Sequence, residues 1–322
     1  MSKSNDRDLN GWLNAIVAFG WWGFVFPSLV LTMTFTAKRS TADKFDWSNM
    51  GVQWSLEVLA SRMFWCVLFC FLLLWINGRL GDFFAVFRSK STLGWFAVTS
   101  ILIFINWLVF VIAAATDRLH QASLGYYMGP IFNVVLGYLF LGERLKSLQV
   151  VAIFFTCTGI GWLVFSQAEF PWISICLASS FGIYGLFRKK IPVDAIVGLT
   201  FETLYCIPIA LGIVIYFGSG QPGLIFANAD VSTNVLLFLA GPATAVPLIC
   251  FAIAARKLRL ITLGFIQFLA PTGQILLARF ANQELIEWEK LVGYGFIWTA
   301  VLIYLIELGT RRSSEPADPK EE

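Results

Sequence analysis

Glu57, Arg62 and Glu202 are the residues of this 322-residue chain best placed to do chemistry, because each sits within or beside a long apolar run. A charge in hydrocarbon costs ~2.5–3.5 kcal/mol even on the milder insertion scales, so such groups face a cavity or a partner. Glu202 comes twelve residues after the basic cluster Arg188-Lys189-Lys190 and is flanked by Leu199, Phe201 and Leu204, which places it near mid-membrane. A carboxyl at that depth suits a proton-coupling group, its charge being set by the donors and cations around it. A Glu that ties two helices by a hydrogen bond fits the same position. Glu57 and Arg62 fall in the outer part of one span, as candidates for an outer gate or an anion-attracting pair. They are five residues apart, off the i, i+4 spacing of a same-face pair. A direct bond is therefore not required, and a snorkelling Arg beside an interfacial Glu fits equally.

Neutral polar side chains mark a similar depth at Asn106, Asn133, Gln267 and Gln274. Asn133 and Gln274 each follow a proline, Pro130 or Pro271, by three residues. Such groups either line a polar pathway or tie helices with bonds worth ~0.6–2 kcal/mol, and their recurrence at one depth favours a cavity. Trp22, Tyr126, Tyr127, Tyr184 and Tyr205 lie there too, and an aromatic lining with sparse polar groups suits an amphipathic solute. Pro130, Pro247 and Pro271 release backbone carbonyls or bend their helices, so hinges and static kinks are both open. The single histidine, His120, has no clustered partners for a metal. No phosphate-binding loop, His-Glu-x-x-His helix or Gly-x-Ser-x-Gly elbow appears. Catalysis, ATP-driven pumping, a metal and a cofactor are accordingly not expected.

The elements that must position these residues come from a chain that is 58% hydrophobic and 13% charged, against roughly 25% charged for a soluble domain. That balance excludes a soluble globule, and a net charge of +3 in short clusters gives no nucleic-acid groove. A membrane-spanning helix takes about 20 apolar residues. Ten spans fit, centred near Phe24, Phe69, Phe104, Ile131, Thr158, Ser179, Cys206, Thr244, Phe268 and Trp298. The first run, about Gly11 to Thr36, is too long for a signal peptide and reads as a retained helix. The six cysteines all lie in apolar runs and read as small core residues, not disulfides. With the N-terminus inside, 16 Lys and Arg, including Arg188, fall in inner segments and 5 in outer ones. Both termini are therefore expected in the cytoplasm.

The chain also repeats itself. Phe19-Gly20-Trp21-Trp22-Gly23-Phe24 matches Phe181-Gly182-Ile183-Tyr184-Gly185-Leu186, and Glu57-Val58-Leu59 matches Glu202-Thr203-Leu204. The segment from Ala113 to Gly125 matches Ala252 to Gly264, and Pro130 and Pro271 each precede a glutamate, Glu143 or Glu284, by thirteen positions. Five spans per half is an odd number, so the second copy enters from the opposite side. Inverted repeats of this kind let two halves exchange shapes around a midplane site, the device of secondary transporters.

The stretches ASLGYYMGPIFNVVLGYLFLGE (Ala122 to Glu143), YGLFRKKI (Tyr184 to Ile191), VPLICFAIAARKLRLITLGFIQFLAPT (Val246 to Thr272), EVLASRMFW (Glu57 to Trp65) and Asn106-Trp107 resemble the RarD branch of the drug/metabolite transporter superfamily, built from EamA-type repeats. The resemblance runs from about Gly11 to Glu307. It implies ten helices with both ends cytoplasmic, a cavity between the halves, and an exporter or permease whose substrates are poorly defined. The branch name carries a chloramphenicol association. Glu57, Arg62, Asn106, Tyr126, Asn133, Glu202 and Gln267 match branch residues. The departures are Gln121 where an acid is usual, Gly129 where Asn is usual, Ser28 to Val30 for a Lys-bearing stretch, Arg279 at an aliphatic position, and Gln283 for the Gly before the terminal Glu. They leave a different substrate open.

The sequence thus reads as an all-α polytopic protein of the bacterial inner membrane. Ten transmembrane helices form two inverted five-helix EamA-type repeats, 11–167 and 171–308, between short cytoplasmic tails, 1–10 and 309–322. The expected function is secondary transport, as an exporter or permease of small amphipathic metabolites or drugs by alternating access, with proton coupling left open. A non-coupled channel and a non-transporting scaffold or sensor are the alternatives. Trp22, Asn106, Tyr126, Asn133, Tyr184, Gln267 and Gln274 are expected along the substrate pathway, Glu57, Arg62 and Glu202 in coupling or gating, and Pro130, Pro247 and Pro271 at hinges. The expected partners are a small-molecule substrate and membrane lipid; a homodimer is compatible, and nucleic acid is not expected.

Overall fold

A computed structural model describes residues 8–47, 50–116, 118–166, 170–220, 223–281 and 287–313. Every regular element among them is helical. In order these are α1 (Leu9–Gly20), a π turn (Trp21–Val25), α2 (Phe26–Thr41), α3 (Gly51–Ile76), α4 (Leu80–Val86), α5 (Lys90–Ala115), α6 (Leu119–Leu141), α7 (Ser147–Phe165), α8 (Trp172–Lys190), α9 (Ala195–Ser219), α10 (Ile225–Asn228), α11 (Val231–Lys257), α12 (Leu260–Gln267), α13 (Leu269–Ala281) and α14 (Trp288–Ser313). Nine helical rods among the described residues are long and apolar enough to cross a membrane, the first being the continuous Leu9–Thr41.

The expected span near Ser179 is α8, which is not one of those nine. It ends in Arg188-Lys189-Lys190 and packs against α5, α6 and α11, with Ser174, Ser180, Tyr184 and Arg188 buried. Its three closing basic residues leave too short an apolar run in a 19-residue helix, which is why its composition falls short. The other rods show the reverse pattern. Phe35, Trp75, Leu139, Phe154 and Leu302 are exposed on the outer surface, while Glu57, Asn133, Gln149 and Glu202 are buried. Cys66, Cys70 and Cys206 are buried as expected, but Cys157 is exposed, because it shares the outer face of α7 with Phe154.

Two helices are broken where proline removes a donor. In the first rod the Phe26 N–H bonds back to the Trp21 carbonyl, five residues earlier. In that wide register the Trp22 carbonyl would look to residue 27, a proline without an N–H. The rod made of α12 and α13 breaks at Phe268, three residues before Pro271. Pro130 and Pro247 lie inside helices that continue through them.

The bundle has two distinct ends. At one, α10 is held by Glu57 and by Lys44, which reaches the Asn228 carbonyl at 3.4 Å. At the other, the start of α12 meets the end of α6, and several loops are pinned. Arg256 donates to the Val193 carbonyl at 2.9 Å, Arg259 to that of Arg144 at 2.6 Å, and Lys257 lies 3.4 Å from Asp8. Arg79 pairs with Asp194, and Lys189 binds the Ala255 and Leu258 carbonyls. Burial pushes the Asp194 carboxyl up, but Arg79 and the Ile196 N–H hold it below the usual carboxylate range.

Candidate functional site

A cavity of about 360 Å³ lies between the rods. Phe19, Trp22, Phe26, Arg62, Asn106, Trp107, Ser123 and Tyr126 line it from the first half of the chain, and Phe181, Thr244, Gln267, Pro271 and Gln274 from the second. Val30, Leu31, Phe110 and Leu277 extend the wall, all on the segments that run toward the α10 end. The volume is at the small end of ligand pockets, about 300–1,000 Å³.

Its polar groups are few and mostly engaged. The Asn106 amide donates to the Leu177 carbonyl and the Ser180 hydroxyl, both at 3.0 Å. The Gln274 amide donates to the Trp22 carbonyl at 3.1 Å, the group that the π turn and Pro27 leave without a backbone donor. Gln267 accepts from Asn133 at 2.8 Å. Gly129 makes room for it, since a Cβ there would lie 2.3 Å from the Gln267 Nε2. Among the described residues of the wall, Arg62 is the charged side chain and none is a carboxylate. Its Nε donates to the Thr244 hydroxyl at 3.0 Å, and its guanidinium lies 4.6 Å from the Phe26 ring centre and 5.1 Å from that of Trp107.

Trp22, Asn106, Tyr126, Gln267, Gln274, Arg62 and Pro271 are therefore all brought to one cavity. Asn133 stands behind it, through Gln267. Tyr184, Glu202 and Glu57 lie outside the wall, as do Pro130 and Pro247. Tyr205 is exposed on α9, and Tyr127 is buried against Tyr294. Of the departures from the branch pattern, Gln121 is buried beside Ser174, whose hydroxyl donates to its carbonyl at 2.6 Å, and Arg279 is exposed on the last turn of α13. Glu284 and Gln283 lie outside the described residues.

Glu57 and Arg62 are not paired. The Glu57 carboxylate accepts from the Ile225 and Phe226 N–H groups, at 2.9 and 3.0 Å, and from Gln53 at 2.7 Å. It caps the N-terminus of α10, where backbone donors are unsatisfied. Glu143 does the same at the opposite end, accepting from the Leu260 and Ile261 N–H groups of α12 at 2.8 and 3.0 Å. Glu202 is fully buried, accepts from the Tyr184 hydroxyl at 3.0 Å, and lies 3.6 Å from the Arg188 guanidinium. Arg188 counts as a loop cation by sequence, yet only 1% of its side chain is exposed. Gly198 leaves the space it fills, since a Cβ there would meet its Nη1 at 1.9 Å. The signal was present: Tyr184 and Arg188, four residues apart on one helix, turn the same face to Glu202. Thr244, Phe26 and Trp107 carried no comparable signal, being ordinary residues within apolar runs.

The fold and the cavity together define a multi-pass α-helical membrane protein built around an internal solute-sized chamber. The profile of the EamA-like transporter family matches residues 47–165. "Protein RarD" of Escherichia coli (strain K12) is 37% identical over 261 residues, 78% of this chain and 84% of that protein. "Uncharacterized transporter YojE" of Bacillus subtilis (strain 168) is 38% identical over 256 residues, 78% and 84% of the two chains. One solved crystal structure, 15% identical, superposes with a TM-score of 0.64 over 95% of this chain and 99% of its own, a likeness of fold. The chain belongs to the EamA-like transporter family, in its RarD-type branch, and is a membrane transporter.

Proposed function

We propose that this protein is a secondary transporter, an exporter of small amphipathic metabolites or drugs, working by alternating access in the bacterial inner membrane. In this reading ten spans form two inverted repeats, 11–167 and 171–308, with both termini cytoplasmic. One observation carries it: a single cavity draws its wall from both halves of the chain. Two halves that share a chamber can rock about it and expose it to either side in turn. The loop charges assign the α10 end to the outside, so this conformation is outward-facing, with the cytoplasmic side closed by Glu143, Lys189 and Arg259. Glu202 is the coupling group, its proton exchange linked to Arg188 and Tyr184. Pro130, Pro247 and Pro271 absorb the bending.

Proteoliposomes with an imposed pH gradient test this, with substrates drawn from metabolites retained by cells lacking the gene. Saturable flux and counterflow are expected, with a pH dependence that Glu202→Gln abolishes. Flux linear in the gradient without counterflow would make it a channel, and an unchanged pH profile in Glu202→Gln would remove the coupling role.

A further inference from the structure

We infer that the cavity takes a monoanionic solute, a carboxylate on an aromatic body, and that the Arg62 guanidinium binds the carboxylate. This rests on the transport reading above and names its substrate class.

Arg62 brings one positive charge into a wall that has no Asp or Glu among its described residues. Glu57, five residues before Arg62, is occupied by two N–H donors at the start of α10 and by the Gln53 amide, and Glu202 lies against Tyr184 and Arg188. Guanidinium offers five N–H donors. One is used on Thr244, and the two terminal nitrogens form no ion pair among the described residues. Arg62 is partly accessible and lines the chamber, which places these nitrogens at its wall.

Stacking on Phe26 and Trp107 offsets only part of the desolvation of this charge. The chamber wall therefore presents a cation that no carboxylate among its described residues compensates. The free edge of a guanidinium matches a carboxylate with two parallel hydrogen bonds. A neutral solute leaves the charge unpaired, and a cationic one is repelled. Asn106 and Gln274 have already spent amide N–H groups on protein carbonyls, so polar recognition concentrates on Arg62. Trp22 and Phe181 supply flat apolar walls for the body, and the volume suits one or two rings.

Isothermal titration of the full-length protein in lipid nanodiscs with indole-3-acetate, indole-3-acetamide and tryptamine tests this, because the ring is constant and only the charge changes. Indole-3-acetate is expected to bind about tenfold more tightly than the amide, with tryptamine weakest. Arg62→Gln should abolish the preference, so that acid and amide bind alike with the larger loss on the acid; Arg62→Lys should keep part of the preference. Equal binding of acid and amide, no binding of the acid, or equal weakening of both by Arg62→Gln would overturn the proposal. The ranking is read on the wild-type chain, so it holds even where a variant fails to fold. Acid binding without counterflow in proteoliposomes removes the transport reading alone; counterflow of neutral solutes with no preference for the acid removes this one alone.

Discussion

The Gln274 side chain donates a hydrogen bond to the Trp22 carbonyl at 3.1 Å, so α13 completes a backbone that the first rod leaves open. Pro27 has no N–H to offer that carbonyl in the π register. A residue read from sequence as a cavity contact is thus also a structural repair.

Gln274→Leu is expected to destabilise the protein by about 1–3 kcal/mol, the cost of an unsatisfied buried carbonyl. Pro27→Ala supplies a backbone N–H at the required position, so in that background the same substitution should cost about 1 kcal/mol less. Thermal midpoints of the four proteins in one detergent measure this. An equal cost in both backgrounds would show that the Trp22 carbonyl is not what Gln274 serves.

Gly129→Ala puts a Cβ where the Gln267 amide now lies. The flexible Gln267 can swing away, but only by giving up its bond from Asn133. The expected loss is ~0.6–2 kcal/mol, the range for polar contacts between membrane helices. It should shrink when Asn133 is already Ala. A full loss in the Asn133→Ala background would place the strain elsewhere.

The helical architecture was readable because span length and apolar composition are local properties; of the two breaks only the one near Pro271 falls at a proline that sequence singled out, since the other lies at Pro27 and the helices run on through Pro130 and Pro247. The cavity was readable in part. Asn106, Gln267, Gln274 and Arg62 stood out as polar residues in apolar runs, and all reach the chamber. Glu57 and Glu202 stood out for the same reason and do not, since a buried carboxylate can lie instead against a helix N-terminus or a guanidinium. Sequence marks which groups need a partner. It does not mark which partner tertiary packing brings, and Arg188, counted with the loop cations, is the clearest case.

Asp194 caps α9 through the Ile196 N–H and pairs with Arg79. Its carboxyl is held below the usual range, so the pair stabilises the protein above pH ~4, the ordinary carboxylate value. That contribution is lost as pH falls through the lowered folded value. Asp194→Asn keeps an Asx cap and loses the ion pair. At pH 7 the variant should be less stable by about 0–1 kcal/mol, as for other half-exposed pairs, and the gap should close as pH falls below the ordinary carboxylate range. Midpoints that stay equally separated across this range would show that the charge is irrelevant.

Arg188 and Glu202 test whether burial of a charge pair serves stability or function. Removing one partner strands the other in a dry interior, and Glu202→Ala or Arg188→Ala should each cost about 3–5 kcal/mol. Replacing both together by apolar residues of similar length, Arg188→Met with Glu202→Met, removes the desolvation penalty along with the attraction. The double variant should therefore recover most of the stability lost by either single one. If the pair exists to exchange a proton, that recovered protein should still bind solute in the Arg62 cavity, because neither residue lines it. It should lose only the pH dependence of flux. Calorimetry and proteoliposome flux on the same preparation separate the two. A double variant as unstable as the singles would mean that the site cannot accept an apolar filling. One that keeps a wild-type pH profile would leave the pair a purely structural clamp between α8 and α9.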